Sequence, residues 1–145
     1  MADLTVRRLQ EFDAIFGGGM RRVRAGLGVS SFGLQVVELP AGFDGYPDHC
    51  HIHDRQEEVY IPMSGSCNLT VGGVDHRIGC GDYVRVGPTE HRKITTSDSP
   101  VRLLVIGATP GEPYEAPEFT EEGAASPGAP PPEHAHDHGH GNDHA

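Results

Sequence analysis

The sequence predicts an all-β domain of short antiparallel strands, closed into a barrel or stacked as a sandwich. Three observations carry this expectation. Apolar and polar residues alternate in several short runs, as the pleat of a strand requires. Turn signals rich in Gly, Pro, Asp and Ser recur about every six to twelve residues. Helical periodicity is confined to one stretch near the N-terminus.

In chain order, residues 4–16 carry apolar side chains at Leu4, Val6, Leu9, Phe12, Ile15 and Phe16, a spacing closer to a helical stripe than to a strand. Gly17-Gly18-Gly19 ends any helix there. Residues 20–24 read as a short edge strand whose arginines discourage further pairing, and residues 24–30, with two glycines, as a turn. Residues 32–39 alternate at Phe32, Leu34 and Val36 and end at Pro40-Ala41-Gly42. Strands are expected on both sides of Asp54-Arg55-Gln56. Residues 66–71 and 74–78 form a hairpin across Gly72-Gly73, a two-residue turn signal of high specificity. After the turn at Gly79-Cys80-Gly81-Asp82, residues 83–86, 91–96 and 101–108 complete the set.

A chain of 145 residues is long enough for one domain with a real core. Its formal charge is -10, but residues 109–145 hold eight acidic residues and no Lys or Arg, so the acidity belongs to the C-terminal part. No basic patch argues for a nucleic-acid partner. Three irregularly spaced cysteines (Cys50, Cys67, Cys80) make no disulfide framework and fit a reducing compartment. The first residues lack the apolar core of a signal peptide, and no apolar run approaches the roughly 20 residues that span a bilayer. A soluble cytoplasmic protein with no membrane partner is the expectation.

From Thr109 the composition shifts: seven of the twelve prolines lie there, among Gly, Ala and Glu. Tyr114 and Phe119 offer surface to bury, so the chain is expected to follow the domain to about Phe119 and to be disordered beyond. The expected organisation is an N-terminal flanking segment at 1–31, a barrel at 32–119 and a tail at 120–145. The tail carries five of the ten histidines, in the run from Glu133 to Ala145. Alternating imidazoles on a flexible chain can wrap Ni, Zn or Cu, and a Ni- or Zn-handling role is one reading of it.

The chemistry concentrates in residues 45–65. His49, His51 and His53 alternate, so on an extended strand they share one face, with Cys50 and Ile52 on the other. A return strand brings Glu58 beside them. Two neutral imidazoles and one carboxylate suit a borderline divalent metal and leave coordination positions open.

Gly45, His51, His53, Glu58 and Gly65 also resemble the first motif of the cupin superfamily: Gly, five residues, His-x-His, three or four residues, Glu, six residues, Gly. His49 and His51 form an alternative His-x-His register that shares His51. The second cupin motif (Gly, five residues, Pro, any, Gly, two residues, His, three residues, Asn) is matched only in part from Gly81 onward. Pro88 is one place late, Thr89 stands for the second glycine, and Thr95 falls where Asn would be, counted from His91. A strict count puts Arg92 in the ligand place, and arginine cannot bind a cation. A loop one residue tighter puts His91 there, and His91 is preferred, because a small loop change swaps neighbouring strand residues.

The resemblance implies a jelly-roll barrel (a double-stranded β-helix) over about residues 32–108, with His51, His53, Glu58 and His91 as ligands of a divalent ion (Fe, Mn, Ni or Zn). It implies a small-molecule ligand, a homodimer, and a metal-dependent enzyme: dioxygenase-like first, isomerase or lyase next. A non-catalytic ligand-binding module is the alternative. Tyr60 shares strand parity with Glu58 and is the candidate proton donor or hydrogen-bond partner, unless it is a packed barrel aromatic. Lys93 shares parity with His91, and Glu57 is expected to face outward.

Overall fold

The computed structural model describes residues 2–125 and 127. Eight antiparallel strands form its framework: β1 (Ala14–Ile15), β2 (Met20–Arg21), β3 (Gly33–Leu39), β4 (Glu57–Val71), β5 (Val74–Gly79), β6 (Val84–Val86), β7 (Arg92–Thr95) and β8 (Val101–Ala108). Helix is limited among the described residues to the five-residue α1 (Val23–Leu27) and three short 3-10 turns. None of these is long and apolar enough to cross a membrane. The strands expected from residue 32 to 108 form except the one before Asp54, where only an isolated bridge at His49 is made, and the Gly72-Gly73 hairpin has the positive φ at both turn residues that its type requires.

The fold is organised by β4, whose 15 residues serve two sheets. Its first half lies between β8 and β6, and its second half between β5 and β7. The changeover has a local cause. The register shifts between Pro62 and Ser64, and Gly65 follows at φ 72°, in the left-handed region. A Cβ at Gly65 would collide with the Pro100 carbonyl oxygen. Only glycine lets the two backbones pass and the strand turn into the second sheet.

Side chains alternate across β4 and β8, so Tyr60, Cys67, Leu69, Val101, Leu103 and Val105 form one continuous apolar interior with almost no exposed surface. Glu58 lies on the same inward face as Tyr60. A carboxylate placed two residues from a core aromatic therefore ends in the interior, which is how this fold positions its site.

The flanking elements depart from expectation. Residues 4–16 form no α-helix: Leu4 and Val6 are 73% and 80% exposed, and only Leu9–Glu11 makes a 3-10 turn. The start of the stripe, Leu4 and Val6, finds no surface, whereas Phe12 and Ile15 are buried, and Asp13 between them accepts from Arg22 Nη1 (2.7 Å) and Gly123 N (2.9 Å). The chain then pairs as the β1–β2 hairpin. Residues 23–27, read as the end of an edge strand and the start of a turn, are α1, closed by Gly28 at φ 81°. The C-terminal segment is clasped to this region: buried Arg22 donates to the carbonyls of Phe119 (2.8 Å) and Ala124 (2.6 Å). The histidine run from 134 to 144 lies outside the described residues.

Candidate metal centre

The sequence around His49 folds as an extended stub followed by a turn. His49 and Arg92 exchange both backbone hydrogen bonds (3.1 and 2.9 Å), and His51 N donates to Pro88 O (2.9 Å). Over these residues the strand alternation holds, so His49 and His51 both point inward while Cys50 is only half-buried. The alternation stops at His51. Arg55 N reaches back to His51 O (2.6 Å), and Arg55 itself sits at φ 58°. Asp54 holds this turn through Gln56 N (3.2 Å) and Gln56 Nε2 (3.0 Å).

Three potential ligand atoms converge, one each from His49, His51 and Glu58, all within 4.8 Å of one another and all buried. His51 Nε2 lies 3.4 Å and His49 Nε2 4.0 Å from Glu58 Oε1. The other ring nitrogens are anchored: His49 Nδ1 by Pro47 O (3.0 Å), His51 Nδ1 by Asp54 Oδ1 (3.1 Å). Both anchors are acceptors, so they fix the tautomers with Nδ1 protonated and Nε2 turned to the centre as a lone pair. Glu58 Oε1 accepts from Tyr60 OH (2.6 Å) and Arg92 Nη1 (2.8 Å). Glu58 Oε2 is buried and accepts no hydrogen bond among the described residues. A buried carboxylate oxygen without a partner is costly unless something binds it. The donor set, the anchored imidazoles and this orphaned oxygen together fit a divalent ion.

The electrostatics are coupled. Burial alone would raise the Glu58 carboxyl, but the nearby His51, then Tyr60 and Arg92, hold it below its ordinary value. Burial likewise opposes charge on His51, but Glu58 and Asp54 outweigh it and raise its pKa. His49 is pushed down by burial, which its contacts with Pro47 and Glu58 only partly offset. Tyr60 is raised well above a normal phenol, first by burial and then by Tyr46 and Glu58. It keeps its proton, and that proton is committed to Glu58 Oε1.

The structure therefore brings together two of the preferred residues, His51 and Glu58, with His49 of the alternative register. It does not bring His53 or His91 to them. His53 falls in the turn held by Asp54, and its side chain is 60% exposed. His91 immediately precedes β7, faces outward at 64% exposure and pairs with Asp48 (3.2 Å). Its neighbour Arg92 takes the inward parity, fully buried, so the strict count of the second motif describes the backbone and the tightened loop does not. Lys93 turns to the carbonyls of Asp44 and Tyr46 (2.8 Å each) rather than to the centre. Glu57 faces outward and pairs with Arg85 (2.8 Å).

Two contributions escaped the sequence reading. Asp54 supports His51 from three residues away, a spacing visible in the sequence but meaningless until the turn is known. Tyr46 packs its ring 5.7 Å from that of His49. No spacing rule links those two positions. The centre itself is closed to solvent. A cleft of about 370 Å³, lined by Ile52, Arg55, Pro88, Thr89, Thr109 and Pro110, lies at the two loops whose backbones meet between His51 and Pro88.

The family profile described as "Cupin domain" matches residues 35–107. The chain belongs to the cupin family, and its eight-stranded antiparallel architecture is that of a cupin barrel. A search of curated proteins finds no match. Among solved structures, a cupin protein from Bacteroides fragilis is 24% identical, with 87% of this chain and 99% of that chain covered and a TM-score of 0.64. The DMSP lyase DddQ from Ruegeria pomeroyi is 29% identical over 63% of this chain and 45% of that chain, with a TM-score of 0.50. A sugar phosphate isomerase from a cupin superfamily, from Silicibacter pomeroyi, is 25% identical over 62% of this chain and 59% of that chain, with a TM-score of 0.54. The chain thus spans about half the length of these two enzymes.

Proposed function

We propose that this chain is a metal-dependent cupin enzyme acting on a small molecule, with His49, His51 and Glu58 as the protein ligands of a divalent ion. The observation that carries the reading is Glu58, whose Oε1 lies 3.4 and 4.0 Å from two imidazoles with anchored Nδ1 atoms and whose Oε2 is buried without a hydrogen bond among the described residues. Two histidines and one carboxylate are the ligand set of oxygen-using Fe(II) centres, so dioxygenase-like chemistry is the first assignment. Such an ion supplies Lewis acidity or, as Fe(II), a place for dioxygen. The chain's residues do the rest. Asp54 and Pro47 orient the imidazoles, and Tyr60 and Arg92 hold Glu58 Oε1. The packed barrel excludes water, and the loops at 52–55 and 87–90 are the entrance for a ligand.

A lyase or isomerase is the second reading, favoured by the likeness to DddQ and to the sugar phosphate isomerase. Under either reading Tyr60 acts by holding Glu58 rather than by giving up its proton.

The test is elemental analysis of the full chain, of a chain cut after Ala125, and of His51→Ala, His53→Ala and His91→Ala variants. The expected result is one tightly held ion in the full and cut chains and in the His53 and His91 variants, with loss in His51→Ala. A cut chain that carries no ion and takes up none overturns the proposal. Loss of most metal with the tail alone supports the Ni- or Zn-handling alternative instead.

A further inference from the structure

Arg92 is an unusual side chain to find at a centre of metal-ligating residues. It is fully buried, and all three of its guanidinium nitrogens are engaged: Nη1 on Glu58 Oε1 (2.8 Å), Nη2 on the carbonyls of Gly87 (2.7 Å) and Glu90 (2.9 Å), and Nε on Glu90 O (3.3 Å). Four of its five N–H groups are thereby committed within the protein, which makes holding its neighbours its main role. Its backbone is the partner of His49 through both hydrogen bonds of their bridge. One residue thus ties three parts of the site together: the strand stub that carries His49, the carboxylate of Glu58, and the 87–90 loop whose Pro88 carbonyl holds His51.

We propose that Arg92 is a positioning residue that keeps the centre at three protein ligands. It does so in two ways. By occupying Oε1 together with Tyr60, it leaves Glu58 only Oε2 to offer, so the carboxylate binds through one oxygen. By filling the inward place on β7 opposite His49, it keeps a further ligand from entering and sets a permanent positive charge beside the ion. The outward neighbour His91 cannot substitute, because adjacent strand residues face opposite ways. The consequence is an ion held more weakly than a four-ligand site would hold it. This rests on the metal reading above for the natural chain, but the geometric claim about position 92 stands apart from it.

Co(II) is the probe, because its visible absorption reports coordination number and its affinity can be read by competition with a chelator. The full chain is used throughout, with His51→Ala giving the signal that histidines outside the centre contribute. Arg92→His introduces an imidazole at the inward place and removes the fixed charge. The expected result is binding about ten- to a hundredfold tighter than in the natural chain, the scale seen when groups around a metal are changed, with a weaker visible band as the ligand number rises. Arg92→Gln keeps a donor for Glu58 Oε1 without charge, and guards against a histidine variant that fails to fold. It is expected to tighten binding in the same direction, with the spectrum of the natural chain.

Co(II) taken up by Arg92→His but not by the natural chain overturns the metal enzyme reading and supports the proposal for Arg92. A folded Arg92→His or Arg92→Gln chain that binds Co(II) no more tightly than the natural chain overturns the proposal. So does an unchanged spectrum in Arg92→His.

Discussion

Arg92 Nη1 donates to Glu58 Oε1 across 2.8 Å, and neither side chain has exposed surface. An ion pair removed so completely from water has lost its solvation on both sides. It survives because Nε and both N–H groups of Nη2 are met by carbonyls of the 87–90 loop. Breaking one side leaves the other as an uncompensated buried charge. Arg92→Met is therefore expected to destabilise the fold by roughly 3–5 kcal/mol in urea unfolding, and Glu58→Gln to be costly by the same logic. The Arg92→Met, Glu58→Gln double variant should cost clearly less than the two singles added. Additive losses, or single losses below about 1 kcal/mol, would contradict the pairing.

Gly65 is expected to be the least replaceable glycine of the barrel. Alanine there must adopt φ 72° and also drive its methyl into the Pro100 carbonyl where β4 passes β8. Gly73 provides the control, since it has φ 81° but open space around the position of a Cβ. Gly73→Ala should cost only the left-handed backbone term, about 1–2 kcal/mol. Gly65→Ala should cost well above that or abolish folding, as read by thermal unfolding. Equal losses at the two positions would refute the steric account of how β4 changes sheets.

The clasp between the N- and C-terminal segments should weaken in acid. Asp13 has its pKa lowered, first by the hydrogen bond from Gly123 N and then by Arg22. A carboxyl lowered in the folded state contributes stability that is present above its unfolded value, about 4, and is lost as pH falls through the lower folded value. Asp13→Asn should thus be less stable than the natural chain at pH 7, with the gap closing as the pH falls below about 4. Chemical unfolding at pH 7 and at pH 3 measures it. A gap that stays constant across that window would show that Asp13 acts through packing alone.

Local patterns were legible wherever the physics is local. The strand run from β3 to β8 follows from alternation, and the Gly72-Gly73 hairpin from the one residue type that accepts positive φ twice in succession. Glu58 and Tyr60 follow from period-two parity on a long strand whose apolar face must be buried. The helical stripe at 4–16 misled for a related reason. Spacing sets which face would be apolar, but only a partner surface makes the element form, and Leu4 and Val6 have none.

The choice among four histidines could not be read in the same way. His49, His51 and His53 have identical spacing, and only the Asp54 turn, closed by Arg55 N on His51 O, ends the strand before His53. His91 and Arg92 are adjacent, and parity decides between them once β7 is registered against β4 and His49 against Arg92. By itself the sequence determined the strands, the family resemblance and two inward residues, His51 and Glu58, because each depends on neighbours within one element or on a short spacing. Tertiary structure alone decided that the interior holds an arginine where a ligand was expected. The physical reason is that facing is a property of paired strands, and a one-residue difference in a loop reverses it.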